Sequence, residues 1–372
     1  MSVPFLDLRA SYRSLQSEID AAVSRVLDSG WYIGGPEVEA FEQEFAAFVD
    51  VPHCIAVANG LDALHLALLG AGVQSGDEVI VPAHTFVATW LAVSQCGAVP
   101  VPVDVRPDTY QLDPSRLEAA ITPRCRAIVP VHLYGMPADL DAIHDVGRPR
   151  GITVIEDAAQ AHGTLYRGRR IGGHSLASTW SFYPGKNLGA FGDAGAITTG
   201  DAALAARLRS LRNYGSRARY VHEERGFNSR LDPLQAAILR TKLRHLEPWN
   251  ARRRDIAARY LNELQGTGLV LPTVPAWAES SWHLFPVRHP MRDAFRDALS
   301  ERKVETLIHY PIPPHLQGAY TGCGFARGAF PIAETTSDTV LSLPIGPAMT
   351  ETQVTTVIEA VRAAVRTVQW AA

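Results

Sequence analysis

Lysine is scarce in this chain of 372 residues. The chain has 35 basic residues, of which only Lys186, Lys242 and Lys303 are lysines, so arginine carries nearly all of the positive charge. An amine can form a covalent Schiff base with a carbonyl group, whereas a guanidinium cannot. A lysine in such a chain is therefore a candidate for carbonyl chemistry, although most single lysines are ordinary surface charges.

Several other features are missing. No apolar run approaches the ~20 residues that span a bilayer, and the N-terminus lacks the basic-then-apolar pattern of a signal peptide. The net charge of −3 and isolated arginine clusters do not support nucleic-acid binding. Cysteines with metal-type spacing are also absent, and we predict no metal site. We expect small buried thiols in a reduced, cytoplasmic protein: Cys54, Cys96, Cys125 and Cys323.

The apolar pattern indicates an α/β fold. An apolar fraction of 47% with 20% charged residues allows a large buried core. Short apolar runs alternate with helical segments, which is typical of a mainly parallel sheet that is buried on both faces. The predicted strands are 54–58, 78–81, 99–103, 126–131 and 152–155. Ligands of such sheets bind beyond the carboxyl ends of the strands.

The length favours about two domains. A helix is predicted over 11–29, and a long helical stretch over 232–264 that is broken near Pro248. Beyond Gly266 a proline-bearing linker leads into a smaller unit of strand and helix patterns. We predict a large domain over 1–248, which includes the N-terminal helices, and a small C-terminal α+β domain over 249–372.

Three loops that follow apolar, strand-like runs carry groups that could bind one ligand together. Gly60 opens a helix after a strand, where an anion can approach free backbone N–H groups. Asp157 ends another strand and precedes small residues that leave space for a flat ring, although it is also suited to capping the next turn. Lys186 lies in a Pro-Gly loop after an apolar run. Together they meet the needs of pyridoxal phosphate, which requires a lysine for its aldehyde, a carboxylate for its pyridinium nitrogen and N–H groups for its phosphate.

Several blocks of the sequence extend this interpretation to a family. The blocks are Pro4-Phe5-Leu6-Asp7-Leu8, Asn59-Gly60-Leu61-Asp62-Ala63-Leu64, Pro82-Ala83-His84-Thr85-Phe86, Glu156-Asp157-Ala158-Ala159-Gln160-Ala161-His162-Gly163, Ser181 to Gly189, and Asn228-Ser229-Arg230-Leu231. Over nearly its whole length the chain resembles the pyridoxal-phosphate-dependent sugar aminotransferases of the DegT/DnrJ group. The resemblance implies the aspartate-aminotransferase-like fold, fold type I, with a large domain and a smaller C-terminal domain.

The resemblance also implies roles for individual residues. Lys186 would be the Schiff-base lysine and would carry the proton to and from the substrate carbon. The other implied cofactor contacts are Gly60, Leu61 and Ser181 at the phosphate, Phe86 and Ala159 on the two ring faces, Asp157 at the ring nitrogen, and Gln160 at the ring 3-oxygen. Asn228 would reach the phosphate from the neighbouring subunit, which implies a homodimer with a shared active site.

Two positions depart from the commonest family pattern. Leu61 stands where many members have Thr or Ser, and Ala194 stands where a second glycine is more usual. With an apolar residue at position 61, the chain resembles the subset of the family that acts at C3 of dTDP-linked 3-keto-deoxyhexoses in amino-sugar and antibiotic biosynthesis. In that subset Tyr183, His309 and Tyr310 would line the hexose pocket, and Tyr32, Arg219 and Tyr220 would hold the nucleotide.

The predicted reaction is transfer of an amino group, from glutamate by resemblance, to the sugar, with pyridoxamine phosphate as the amine carrier. Action at C4 of a dTDP-4-keto sugar and action on a keto-inositol (a cyclitol) remain alternatives. A sugar dehydratase of the same fold would by resemblance have histidine in place of Lys186. A regulatory protein that keeps the fold as a ligand sensor would not need the intact lysine, aspartate and glutamine.

Overall fold

The computed structural model describes residues 2–218 and 220–368. Its strands are β1 (His53–Val57), β2 (Glu78–Pro82), β3 (Val99–Val103), β4 (Cys125–Ile128), β5 (Thr153–Asp157), β6 (Leu165–Tyr166), β7 (Arg169–Arg170), β8 (Ala177–Ser181), β9 (Gly195–Thr199), β10 (Ser216–Ala218), β11 (Val221–His222), β12 (Ala278–Glu279), β13 (Phe285–Arg288) and β14 (Val340–Leu343). Its α-helices are α1 (Leu8–Ser14), α2 (Gln16–Ser29), α3 (Pro36–Phe48), α4 (Gly60–Gly70), α5 (Ala88–Gln95), α6 (Leu117–Ala120), α7 (Leu140–Gly147), α8 (Ala202–Leu211), α9 (Pro233–Leu243), α10 (Leu246–Glu263), α11 (Arg292–Glu301), α12 (Pro331–Thr339) and α13 (Glu351–Thr367).

The centre of the fold is a seven-stranded sheet in the order β1-β9-β8-β5-β4-β2-β3. The pairs β2–β3, β2–β4, β4–β5 and β5–β8 are parallel, whereas β9 is antiparallel to both β8 and β1. The predicted α/β fold with a mainly parallel sheet is therefore confirmed. Because β1, β8 and β5 run in the same direction, their carboxyl ends lie at one edge of the sheet.

Apolar side chains cover both faces of this sheet, which is why strands such as β1 and β2 contain continuous apolar runs in the sequence. One apolar cluster includes Leu64 and Trp90 from the helices that follow β1 and β2. The other joins α3 to β8 through aromatic contacts, in which the ring of Phe45 lies 5.2 Å from those of both Trp180 and Phe182. Edge-on aromatic contacts of this kind add to the free energy gained by burial. The strand ends that carry the polar loops therefore extend from a well-packed apolar core.

A third apolar cluster lies among the C-terminal elements. It includes residues of α10, α11, α13 and the antiparallel pair β13–β14, and it also takes in Val3 from the N-terminus. Val3 forms a bridge with Val304. The division into domains at residue 248 stays a prediction. In the part of the chain that the structure describes, no helix is long and apolar enough to cross a membrane.

Some details differ from the sequence-based expectation. The helix predicted over 11–29 is interrupted at Leu15. The break predicted near Pro248 lies at residues 244–245, and Pro248 itself is in the first turn of α10, where the missing N–H costs nothing. The prediction that all four cysteines are buried was wrong for Cys323, which is exposed because its short 3₁₀ segment lies on the surface. Strand β9 was not predicted, since its small residues resemble the glycine-rich loop before it.

Gly195 offers a test of how closely β9 approaches the start of α4. A Cβ atom at Gly195 would lie 2.3 Å from the carbonyl oxygen of Asn59, which is backbone and cannot swing away. We expect Gly195→Ala to lower the free energy of unfolding by about 2 kcal/mol in chemical denaturation, the usual cost of overpacking. Gly200→Ala is the matched control, because a Cβ atom there meets nothing within 4 Å. Equal stability of the two variants would contradict the close approach.

Candidate functional site

Lys186 lies in a tight turn at the carboxyl end of β8. The turn is closed by the Lys186 N–H, which donates to the carbonyl of Tyr183 at 2.8 Å. Gly189 allows the chain to return, because a Cβ atom there would lie 2.3 Å from the carbonyl oxygen of Pro184. The backbone on both sides of Lys186 is therefore held in place.

Asp157 is the last residue of β5 and is buried, with 6% of its surface exposed. The hydroxyl of Thr89 and the N–H of Ala159 donate to its two oxygens at 2.9 and 3.2 Å. Burial raises the pKa of Asp157, while the bonds from Ala159 and Thr89 and the charge of Lys186 act in the opposite direction. These two donors stabilise the ionised carboxylate, which is too deeply buried for water to stabilise it.

Burial lowers the pKa of Lys186 to about 8, and the carboxylate of Asp157 limits that decrease. The side chain keeps partial contact with solvent although protein atoms surround it densely, which is the environment at the base of a cleft. A lysine with a pKa close to physiological pH can exist as a neutral amine, which is the form that attacks a carbonyl and accepts a proton.

The orientation of the Gln160 amide follows from a backbone contact. The N–H of Tyr134 donates to Gln160 Oε1 at 2.6 Å, so the other end of the amide must be Nε2. Nε2 donates to the Tyr310 hydroxyl at 3.0 Å. The ring of Tyr310 lies 5.3 Å from the ring of Phe86, which is 52% exposed and is therefore not a core residue. Gln160, Tyr310 and Phe86 thus form one contiguous wall.

The start of α4 has the properties of an anion site. Asn59 caps the helix by accepting a hydrogen bond from the N–H of Asp62 at 2.8 Å. Within residues 2–218 and 220–368, the N–H groups of Gly60 and Leu61 donate to no protein acceptor. Ser181 lies beside them, since a Cβ atom at Gly60 would be 2.6 Å from that of Ser181. Two N–H groups, a hydroxyl and the helix dipole therefore converge on one place.

Three imidazoles lie close enough to Lys186 for its charge to influence them. Burial and then that charge lower the pKa of His162 to about 3, of His309 to about 4, and of His283 well below its usual value. All three are therefore neutral at physiological pH. His283 was not predicted; its Nδ1 lies 3.3 Å from Oδ1 of Asn187, the residue after Lys186.

Other predicted residues are exposed in this chain. Tyr183 is 61% exposed, and Tyr32 and Tyr220 are also exposed. Asn228 is exposed, and its neighbour Ser229 accepts a hydrogen bond from the N–H of Ala58 and donates to Asp62. Arg219 lies outside the described residues. The roles assigned to these residues stay predictions.

Two further contacts of the site came only from the structure. Thr89 reaches Asp157 from the first turn of α5, and Tyr134 reaches Gln160 from the loop after β4. Thr85 precedes α5 and Thr89 lies in its first turn, and their hydroxyls lie 2.9 Å apart, so this pair of threonines just after a predicted strand was a possible signal. Tyr134 follows the strand predicted over 126–131, and its place in a loop after a strand was the signal for it.

Comparison with known proteins adds a family match. The family model described as "DegT/DnrJ/EryC1/StrS aminotransferase family" matches residues 13–362. A protein of Saccharopolyspora erythraea named "Erythromycin biosynthesis sensory transduction protein EryC1" is 58% identical over 93% of this chain and 95% of its own length. A "dTDP-3-amino-3,4,6-trideoxy-alpha-D-glucose transaminase" of Streptomyces venezuelae is 56% identical over 97% of this chain and 95% of its own length.

A solved structure is similar throughout. DesV of S. venezuelae, whose crystal structure contains a ketimine intermediate, superposes with a TM-score of 0.97 at 55% sequence identity. The match covers 99% of this chain and 100% of that chain. The predicted fold class is therefore confirmed at the level of the whole chain.

The lowered pKa of Lys186 can be tested in cofactor-free protein. Competitive acylation across a pH series, read by mass spectrometry of the peptide that contains Lys186, should show a midpoint near pH 8. A free lysine derivative should show a midpoint at about 10.4. In Asp157→Asn the midpoint should move to lower pH, because the carboxylate that favours the ammonium form is lost. A midpoint for the unmodified protein close to that of free lysine would contradict the geometry.

Proposed function

The chain belongs to the DegT/DnrJ/EryC1/StrS aminotransferase family, and we propose that it transfers an amino group from glutamate to C3 of a dTDP-linked 3-keto-deoxyhexose. It is a sugar aminotransferase that depends on pyridoxal phosphate. The observation that carries the proposal is the pairing of a largely buried lysine, with a pKa of about 8, and a buried carboxylate at one sheet edge.

The residues of the cleft fit the cofactor. The free N–H groups of Gly60 and Leu61 and the hydroxyl of Ser181 offer donors to a phosphate. Within the described residues, one N–H of the Gln160 amide is left without an acceptor and suits the ring 3-oxygen. Asp157, with its two donors, suits the protonated ring nitrogen, and Phe86 and Ala159 would cover the two ring faces. When bound, pyridoxal phosphate supplies an electron sink for the carbon that loses its proton.

The remaining chemistry is proton transfer and positioning by the protein. Lys186 would move the proton between the substrate carbon that bears the transferred nitrogen and C4′ of the cofactor. A pKa near 8 suits a group that must both accept and release a proton near neutral pH. The neutral imidazoles of His162, His283 and His309 do not add positive charge near Lys186, so they do not lower its pKa further.

The substrate assignment is supported by the relatives and by the wall beside Gln160. The relative from S. venezuelae is named for a 3-amino sugar linked to dTDP, at 56% identity. His309 and Tyr310 would contact the hexose together with Tyr183, and Tyr32, Arg219 and Tyr220 would hold the nucleotide. The relative with a sensory-transduction name shows that family names vary, but the intact lysine, aspartate and glutamine of this chain support catalysis.

The substrate can be tested with a small panel. The purified enzyme, loaded with pyridoxal phosphate and glutamate, should aminate a dTDP-3-keto-6-deoxyhexose at C3, detected by mass spectrometry and NMR of the product. A dTDP-4-keto sugar and a keto-inositol should react at least about 100-fold more slowly, because they would leave polar groups of the site unpaired.

Two lysine variants serve as controls for the panel. Lys186→Ala should bind the cofactor without covalent attachment and give no amino sugar in a single turnover, whereas Lys303→Ala, on the exposed surface, should behave as the unmodified enzyme. If the enzyme aminates the 4-keto sugar or the keto-inositol faster than the 3-keto sugar, the proposed substrate is wrong and the faster compound takes its place. Normal turnover by Lys186→Ala would exclude the assigned role of the lysine.

A homodimer with a shared active site is the second part of the proposal. Its support is the exposed position of Asn228 beside the anion site and the exposed apolar residues of the same chain, among them Trp31, Tyr32 and Ile33. Exposed apolar surface of this kind is typical of protein interfaces. A cytoplasmic location is also proposed, on the support of three buried cysteines without disulfide partners.

Subunit complementation tests the shared site. Lys186→Ala and Asn228→Asp should each be nearly inactive alone. After the two are mixed and their subunits exchanged, half of the dimers should be mixed and contain one intact site, so about a quarter of the normal activity should return. No recovery in a sample shown by mass spectrometry to contain mixed dimers would mean that Asn228 acts within its own chain.

A further inference from the structure

Tyr134 is a buried residue that contacts both Gln160 and His309. Only 3% of its surface is exposed. Its backbone N–H holds Gln160, as described above, and its hydroxyl donates to the backbone carbonyl of His309. The same hydroxyl lies 2.8 Å from Nε2 of His84, which is 1% exposed. One buried side chain therefore joins the residue predicted at the cofactor ring to the segment predicted at the sugar.

The positions of the protons in this network follow from the chemistry of the groups. A carbonyl oxygen has no proton to give, so the Tyr134 hydroxyl must donate to His309 and can only accept from His84. His84 Nε2 therefore carries the proton. A neutral imidazole has one N–H, which leaves Nδ1 to accept from the hydroxyl of Ser337 at 3.3 Å. Burial lowers the pKa of His84 to about 3, so the ring is neutral.

The second branch of the network ends at Tyr310, which is partly exposed. Gln160 Nε2 donates to the Tyr310 oxygen, so Tyr310 accepts this bond and keeps its own proton. In residues 2–218 and 220–368 that proton has no acceptor. The Tyr310 hydroxyl is consequently a donor available to a bound molecule, and the direction of its proton depends on the amide that Tyr134 orients.

We propose that Tyr134 is a positioning residue, whose hydroxyl, oriented by His84 and Ser337, holds the His309–Tyr310 segment so that Tyr310 donates a hydrogen bond to an oxygen of the sugar substrate. The recognised group is a hydroxyl or carbonyl oxygen, which has the lone pair that this donor requires. The inference rests on the proposed function in so far as the bound molecule is a sugar. Tyr134 itself does not touch the substrate.

Tyr134→Phe tests this role, and Tyr110→Phe is its matched control. Tyr110 is also a buried tyrosine, its ring lies 5.8 Å from that of Tyr134, and within the described residues its hydroxyl makes no hydrogen bond to His84 or His309. The two half-reactions are measured separately: amine uptake from glutamate, by the absorbance of the cofactor, and amine delivery to the keto sugar.

Tyr134→Phe keeps the backbone N–H that holds Gln160 but loses the hydroxyl that holds His309. We expect kcat/KM for the sugar half-reaction to fall about tenfold, while the glutamate half-reaction changes by less than about twofold. Tyr110→Phe should leave both unchanged. His84→Gln, whose amide can donate in place of Nε2–H, should retain most of the sugar half-reaction, whereas His84→Leu should lose as much as Tyr134→Phe.

Several outcomes would overturn the proposal. Equal losses in both half-reactions, or equal losses in Tyr134→Phe and Tyr110→Phe, would indicate a general structural role. Normal kcat/KM in Tyr134→Phe would exclude any role of the hydroxyl. If the unmodified enzyme accepts the amine of glutamate but aminates no sugar, the proposed function fails and the network is decided by histidine-selective ¹⁵N NMR. That spectrum should show His84 protonated at Nε2, and protonation at Nδ1 would refute the inferred directions.

Discussion

The site depends on the electrostatic interaction between Lys186 and Asp157. Burial disfavours the charged form of both groups, since it raises the pKa of the acid and lowers that of the amine. Each charge opposes the shift of the other, so neither pKa departs as far as burial alone would take it. The Thr89 hydroxyl and the Ala159 N–H stabilise the carboxylate, whereas within the described residues the amine of Lys186 has no comparable set of acceptors to stabilise its charged form. The pair is therefore biased towards an ionised acid beside an amine that readily becomes neutral.

The sheet is what brings this pair together. Asp157 ends β5 and Lys186 follows β8, and these are neighbouring parallel strands, so their carboxyl ends must lie side by side. Strand β9 places Gly195 against the backbone of Asn59, which brings the start of α4 next to Ser181. Substitution of Gly60 or Gly195 would therefore move the anion site away from Lys186 without changing any polar group.

The sequence was sufficient for the fold class and for the three strand-end loops, because both follow from local pattern. Lysine scarcity, an acid after an apolar strand and a glycine at a helix start are all visible in one dimension. Tyr134 and His283 were not found, since their contacts with Gln160 and Asn187 join segments that are 26 and 96 residues apart. The exposure of Cys323 was missed for a related reason, because apolar neighbours in sequence do not determine burial in space.

The hydroxyl of Ser229 has a thermodynamic consequence. It ties the segment that carries Asn228 to Ala58 and Asp62, beside the anion site of the same chain. In a dimer whose Asn228 reaches the opposite phosphate, each segment would be anchored at its own anion site and engaged at the other. Cofactor binding and subunit association then become linked equilibria, in which cofactor strengthens the dimer and the dimer strengthens cofactor binding by the same factor. Loss of cofactor would loosen both subunits, and dilution would favour release of the cofactor.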